Sequence, residues 1–129
     1  MDTFKKMSNL NKVTELVYTV KWRMEISRDG SEKKIPNKGY YCSPNFSEEY
    51  SDLNTLVFIN FSENIDIIIP SSVKKIYFLG SNERMNFMHE NILYNQKKFP
   101  QGCEWSLICY ENLKNDFETE IYNKYFKYY

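Results

Sequence analysis

The sequence predicts an α+β fold: one compact domain over residues 1–129, with a sheet of about five strands and an amphipathic helix at its C-terminal end. Three observations carry this expectation. Apolar residues recur with period two in several short runs rich in Ile, Val, Tyr and Phe. Turn signals such as Asp29-Gly30, Pro36, Gly39 and Pro44 separate those runs. The final stretch instead repeats its apolar residues every four positions. A short repeat solenoid is the alternative architecture.

The first strand is read over 16–26, where Leu16, Tyr18, Val20, Trp22, Met24 and Ile26 alternate with Val17, Thr19, Lys21, Arg23 and Glu25. It stops at Asp29-Gly30. The broken segment that follows leaves room for a short strand at 40–42, and Ser47–Asp52 reads as a polar loop or one helical turn. Further strands are expected at 55–61, 65–69, 73–79 and 105–110. Between the last two, Met85, Met88, Ile92 and Leu93 recur at helical spacing and predict a short helix. In 113–129, Leu113, Phe117, Ile121 and Tyr125 form the helical stripe. Asn112 or Asn115 is placed to cap that helix, and Asp116 and Glu118 lie at the positive end of its dipole. The polar residues 1–12 are read as a flexible lead.

A worn internal repeat underlies the solenoid alternative. "IPSSVKKIYFLGSN", from Ile69, and "FPQGCEWSLICYEN", from Phe99, share an apolar-Pro opening, a mostly apolar strand and a closing Asn. Pro70 aligns with Pro100, Val73 with Cys103, Phe78 with Ile108 and Asn82 with Asn112. Leu53, Leu56 and Phe58 match Val73, Ile76 and Phe78 upstream, and Val13, Leu16 and Tyr18 match them again. Val13, Leu53, Val73 and Cys103 thus open copies at intervals of 40, 20 and 30 residues. The segment 53–112 resembles the FNIP class of leucine-rich repeats, in which a proline precedes each strand. That resemblance implies short parallel strands and a turn asparagine bonding backbone groups. Ser106 departs from the pattern, standing where an apolar residue belongs.

Composition narrows function. The 17 basic and 17 acidic residues cancel, which argues against a general nucleic-acid binder. The charge is uneven along the chain: residues 1–40 hold nine Lys/Arg, whereas 39–73 hold none and carry Glu48, Glu49, Asp52, Glu63 and Asp66. This stretch reads either as a solvated face or as an acidic patch that docks a basic protein. Tyr40, Tyr41 and Tyr50 lie within it and are expected as exposed aromatic anchors. Cys42, Cys103 and Cys109 are odd in number and lack a C-x-x-C, which suits a reducing cytoplasm. The polar start carries no apolar signal segment, and the longest apolar run is too short to span a bilayer. The expected location is the cytoplasm.

No catalytic or cofactor pattern stands out. His89 is the sole histidine and could serve a thiol nucleophile only through Cys103 or Cys109, neither in a recognised motif. One His and three scattered Cys make no metal cluster. The tyrosines of the tail beside Lys124 and Lys127 would suit single-stranded nucleic acid, or equally a protein interface. The absence of alanine beside abundant Lys, Asn, Ile and Tyr points to an AT-rich gene. In size, charge balance and lack of motifs the chain resembles the immunity proteins of bacterial toxin systems. That resemblance implies a non-enzymatic, cofactor-free inhibitor that occludes a basic, nuclease-type toxin, with the eight acidic and tyrosine residues above as its contact set. A mobile-element inhibitor of a host defence enzyme and a nucleic-acid-binding module are the alternatives.

Overall fold

The first reversal of the chain comes earlier than the alternation suggests. In the computed structural model, which describes residues 10–37, 50–61 and 69–129, the predicted strand over 16–26 is a hairpin. Strands β1 (Val13–Tyr18) and β2 (Trp22–Ser27) pair antiparallel, with Val17 opposite Met24. Thr19 makes the turn. Its Oγ1 donates to the Trp22 carbonyl at 2.8 Å and accepts from the Trp22 N–H at 3.2 Å, a local side-chain bond that competes with strand continuation. The reversal divides the supposed single apolar face: Leu16 and Tyr18 enter one core cluster, while Met24 and Ile26 pack against the other.

A second hairpin follows at Asp29-Gly30, where Gly30 adopts φ 88° and Asp29 Oδ1 accepts from the Ser31 N–H at 2.9 Å. It leads into β3 (Glu32–Pro36), a strand that the sequence reading missed because Glu32, Lys33 and Lys34 present no apolar period. The chain then forms β4 (Thr55–Ile59), β5 (Lys75–Gly80) and β6 (Glu104–Cys109). The sheet therefore has six strands in the order β3-β2-β1-β4-β5-β6. β1, β4, β5 and β6 run parallel to one another. The strands expected at 65–69 and 40–42 lie wholly or mainly outside the described residues; Ile69 itself is in no strand.

Each of the last three strands is entered through a similar turn, closed by Leu53 N–H to Tyr50 O, Val73 N–H to Pro70 O and Cys103 N–H to Pro100 O. Leu16, Leu56, Ile76 and Trp105 consequently form one row across four strands. In β6 the row is filled by Trp105, one position before Ser106, and Phe78 stands opposite Leu107, not Ile108 as the sequence alignment had it.

Both faces of the sheet are buried, as parallel sheets require. One face joins Leu16, Leu56, Phe58, Ile76 and Phe78 to helix α1 (Met85–Asn95) through Met88 and Ile92. Phe58 and Phe78 stack at 5.3 Å at its centre, and the α1 methionines lie so close to Gly80 that any side chain there would displace them. The other face joins Val17, Val57, Ile59, Leu79 and Ile108 to helix α2 (Asp116–Tyr125) through Ile121 and Tyr125. Asn115, one of the two expected caps, accepts from the Glu118 N–H at 2.9 Å. Of the expected stripe, Leu113 packs on this cluster but precedes the helix, and Phe117 is 47% exposed. Two closed faces and an antiparallel edge give an α+β domain, and the solenoid alternative is not what forms.

Phe58→Ala should lower unfolding free energy by about 3–5 kcal/mol, because it empties a fully buried site. Asn115→Ala should cost about 1 kcal/mol through the lost cap. Urea denaturation followed by circular dichroism measures both.

Candidate partner-binding surface

The two edges of the sheet differ in kind. β3 closes one edge with exposed Glu32, Lys33, Lys34 and Pro36, charges and a proline that discourage further pairing. β6 closes the other edge: its one charged residue is Glu104, exposed at the start, and the following Trp105-Ser106-Leu107-Ile108-Cys109 hold neither a charge nor a proline. The ladder fixes which of its peptide groups are free. Glu104 donates to Lys74 O at 2.9 Å and Tyr110 to Gly80 O at 3.0 Å, so the even-numbered residues between them also turn toward β5. The N–H groups of Trp105, Leu107 and Cys109 therefore point away from the sheet. So do the carbonyls of Trp105 and Leu107, while the Cys109 carbonyl accepts from Asn112 N–H at 3.1 Å. No described residue pairs with the outward N–H groups or with those two carbonyls.

The carboxyl end of this edge runs into a group of aromatic rings. Phe126 packs on Tyr110 at 4.5 Å, on Tyr122 at 4.9 Å and on Tyr129 at 5.3 Å. All four rings are partly or substantially exposed. Side chains at strand ends hold the group in place. Asn60 takes the left-handed conformation at φ 58°, which asparagine tolerates better than most residues. Its Oδ1 accepts from Ser81 N–H at 3.2 Å, and its Nδ2 donates to the Tyr129 hydroxyl at 3.1 Å. Trp22 Nε1 donates to the Tyr128 carbonyl at 3.2 Å, with Lys34 Nζ 3.6 Å from the centre of the Trp22 ring. The chain end is thus fastened to β2 and β4, and the aromatic rings are presented on a fixed support.

Of the eight sequence-predicted contact residues, Tyr40, Tyr41, Glu48, Glu49, Glu63 and Asp66 lie outside the described residues. The two described ones are already engaged. Asp52 pairs with Arg28. Tyr50, expected as an exposed anchor, is 4% exposed. It turns inward because the start of the β4 turn packs on the α1-side core, where its hydroxyl donates to Glu25, a buried carboxylate also 3.7 Å from Arg23 Nε. The candidate catalytic residues are not brought together by any hydrogen bond. His89 is exposed on α1, and Cys103 packs beside the core, where burial pushes its thiol up. Cys109 donates to Asn82 Oδ1 at 3.0 Å. Among the described residues no three His, Cys, Asp or Glu side chains group as metal ligands.

The β6 edge was missed at the sequence level. Its charge-free run was visible, but only strand order reveals that it lies at an edge.

Phenol–carboxylate bonds recur around the core: Tyr50 with Glu25, Tyr125 with Glu15 and Tyr128 with Glu32. Burial first, then the neighbouring carboxylate, raises all three phenols, Tyr128 to about 12. A phenol raised on folding stabilises the fold fully below its unfolded value of about 10, and that contribution is lost as pH climbs from there through the folded value. Melting temperature should therefore fall steadily above pH 10, and Tyr128→Phe should blunt the fall. Thermal melts at successive pH values from 9 to 12 check this.

No protein-family model, no curated protein and no solved structure matches this chain.

Proposed function

We propose that this chain is a non-catalytic protein-binding inhibitor of the immunity type, which captures a cognate toxin by adding an extended segment of it to β6. The observation that carries this reading is the contrast between the two sheet edges: β3 is guarded by three charges and a proline, whereas β6 carries a single charge, Glu104 at its start, and no described residue pairs with its outer side. An incoming strand would find three outward N–H donors, at Trp105, Leu107 and Cys109. It would continue onto the partly exposed rings of Tyr110 and Phe126 and the exposed ring of Tyr129. Main-chain bonds along an edge supply affinity and flanking side chains supply selectivity. Aromatic rings on a rigid support lose little entropy on contact, which suits an anchor.

The basic character assigned to the partner rests on the sequence: five carboxylates and no basic residue in 39–73. Such an excess accelerates the encounter with a cationic partner more than it tightens the final complex. Asp52 is already neutralised by Arg28, which leaves Glu48, Glu49, Glu63 and Asp66 for steering.

Leu107→Pro removes one outward donor and sets a ring in the path of the incoming strand, while the bonds from β6 to β5 remain. It should weaken partner capture at least about tenfold; because Leu107 also packs against the α1-side core, capture is compared well below the variant's own melting temperature. Ser106→Pro breaks an inward bond and should destabilise the fold itself. Capture of the partner by immobilised Leu107→Pro protein at wild-type affinity would overturn the edge reading. Separately, Glu48→Lys with Glu49→Lys should slow association and flatten its salt dependence in stopped-flow mixing; an unchanged rate would remove the steering role.

A further inference from the structure

The free side of β6 presents its donors and acceptors in a fixed order. Glu104 N–H points at Lys74 O, so the Cys103 carbonyl, on the opposite side of the same trans peptide, points away from the sheet. The Cys103 N–H is held by Pro100 O in the entry turn, and the Cys109 carbonyl by Asn112 N–H. The outward groups are therefore the Cys103 carbonyl, both groups of Trp105, both groups of Leu107 and the Cys109 N–H. In a parallel ladder an incoming residue donates to one carbonyl and accepts from the N–H two positions further on. Three alternate residues of a parallel segment thus use all of these groups with none left over. In an antiparallel ladder each incoming residue faces both groups of a single residue. The residues opposite Cys103 and Cys109 would then each meet a group already engaged. The sheet itself extends an edge of this kind in parallel: Lys74, whose carbonyl receives Glu104 N–H, holds the place before β5 that Cys103 holds before β6.

The side chains along β6 say what such a segment carries. Glu15, Thr55, Lys75 and Glu104 form one row across the four parallel strands. Glu104 ends that row, exposed and in no ion pair with a described residue. The next place in the row suits a cation, since opposite charges across neighbouring strands attract. Trp105 and Leu107 end the apolar rows Leu16-Leu56-Ile76 and Tyr18-Phe58-Phe78. Both are only partly buried on the α1 side, and apolar neighbours on an added strand would complete their cover. Ser106 lies between them and faces the other side of the sheet, where a small hydroxyl residue fits beside it.

We propose that β6 receives from the protein partner a five-residue segment that runs parallel to it, with a cation first and apolar residues second and fourth. This rests on the edge reading above and specifies the polarity and composition of the strand. In that polarity the first residue lies beside Glu104, the second beside Trp105 and the fourth beside Leu107. The carboxyl end of the segment then runs toward the rings of Tyr110 and Phe126. An antiparallel segment would need its cation at the carboxyl end to meet the same glutamate, so the two polarities call for opposite sequences.

The test titrates the peptide acetyl-Arg-Val-Thr-Val-Val-amide into the ¹⁵N-labelled full chain. The amide signals of Trp105, Leu107 and Cys109 should shift together and saturate in the millimolar range. With a nitroxide in place of the acetyl group, line broadening should be strongest at Cys103 and Trp105. The reversed peptide, acetyl-Val-Val-Thr-Val-Arg-amide, should bind several-fold more weakly. Glu104→Gln alters an exposed side chain and should weaken the arginine peptide about threefold, as loss of an exposed ion pair does. It should leave binding of a peptide with glutamine in place of arginine unchanged. Broadening centred on Tyr110, equal binding of the reversed peptide, or no shift at the three amides overturns the proposal. Shifts of those amides that depend on protein concentration without peptide would assign the edge to a second copy, and overturn it as well. Failure here is separable from failure of the edge reading. Capture that Leu107→Pro abolishes, beside a peptide that fails these tests, leaves the edge standing and removes the proposed segment. Capture that Leu107→Pro leaves intact removes the edge reading, and this proposal with it.

Discussion

The parallel pairing of β1 with β4, β5 and β6 is the constraint on which the rest of this structure depends. Parallel strands cannot be joined by tight turns, so each return must cross a face of the sheet. Those crossings leave both faces in need of apolar cover. The sequence meets that need twice over, with Leu16, Leu56, Ile76 and Phe78 on one side and Val17, Val57, Ile59 and Leu79 on the other. Each helix then has a defined task. α1 lays Met88 and Ile92 on the first face, and α2 lays Ile121 and Tyr125 on the second. The turns before β4, β5 and β6 bring Leu53, Val73 and Cys103 to matching places, which keeps the rows of side chains in step.

The same pairing decides what the molecule can offer to a partner. Among the described residues, the parallel side of the sheet ends on β6, whose outer side none of them pairs. The opposite end grows by antiparallel hairpins and finishes on β3, whose charges and proline close it. Tyr122, on α2, and Phe126, just past its end, carry the aromatic group beside β6. One helix, held on the sheet by Ile121 and Tyr125, thus supports the aromatic shelf.

The class of fold was legible in the sequence because local periodicity reports it. The β-rich runs at 55–59 and 75–80 and the capped C-terminal helix all follow from side-chain spacing and an asparagine at the right place. The β1–β2 hairpin was hidden because Leu16 to Ile26 keeps perfect alternation through the reversal. Only the buried Thr19, bonding back to Trp22, marks the turn. β3 was hidden for the opposite reason, since an edge strand guarded by lysines has no period to detect. The site was less legible still. Tyr50 looked like a surface tyrosine, yet it is a core residue held by Glu25, a contact between residues 25 positions apart. Strand order is a property of long-range contacts, and spacing along the chain does not encode it.

The most direct test of the account is amide hydrogen exchange along β6, measured residue by residue in the free protein and again with the captured partner. The free protein should show alternation, with Ser106, Ile108 and Tyr110 protected and Trp105, Leu107 and Cys109 exchanging fast. The second set should become protected when the partner binds. Slow exchange at Trp105, Leu107 and Cys109 in the isolated chain would mean that this edge is already paired, and would contradict the edge as the docking surface.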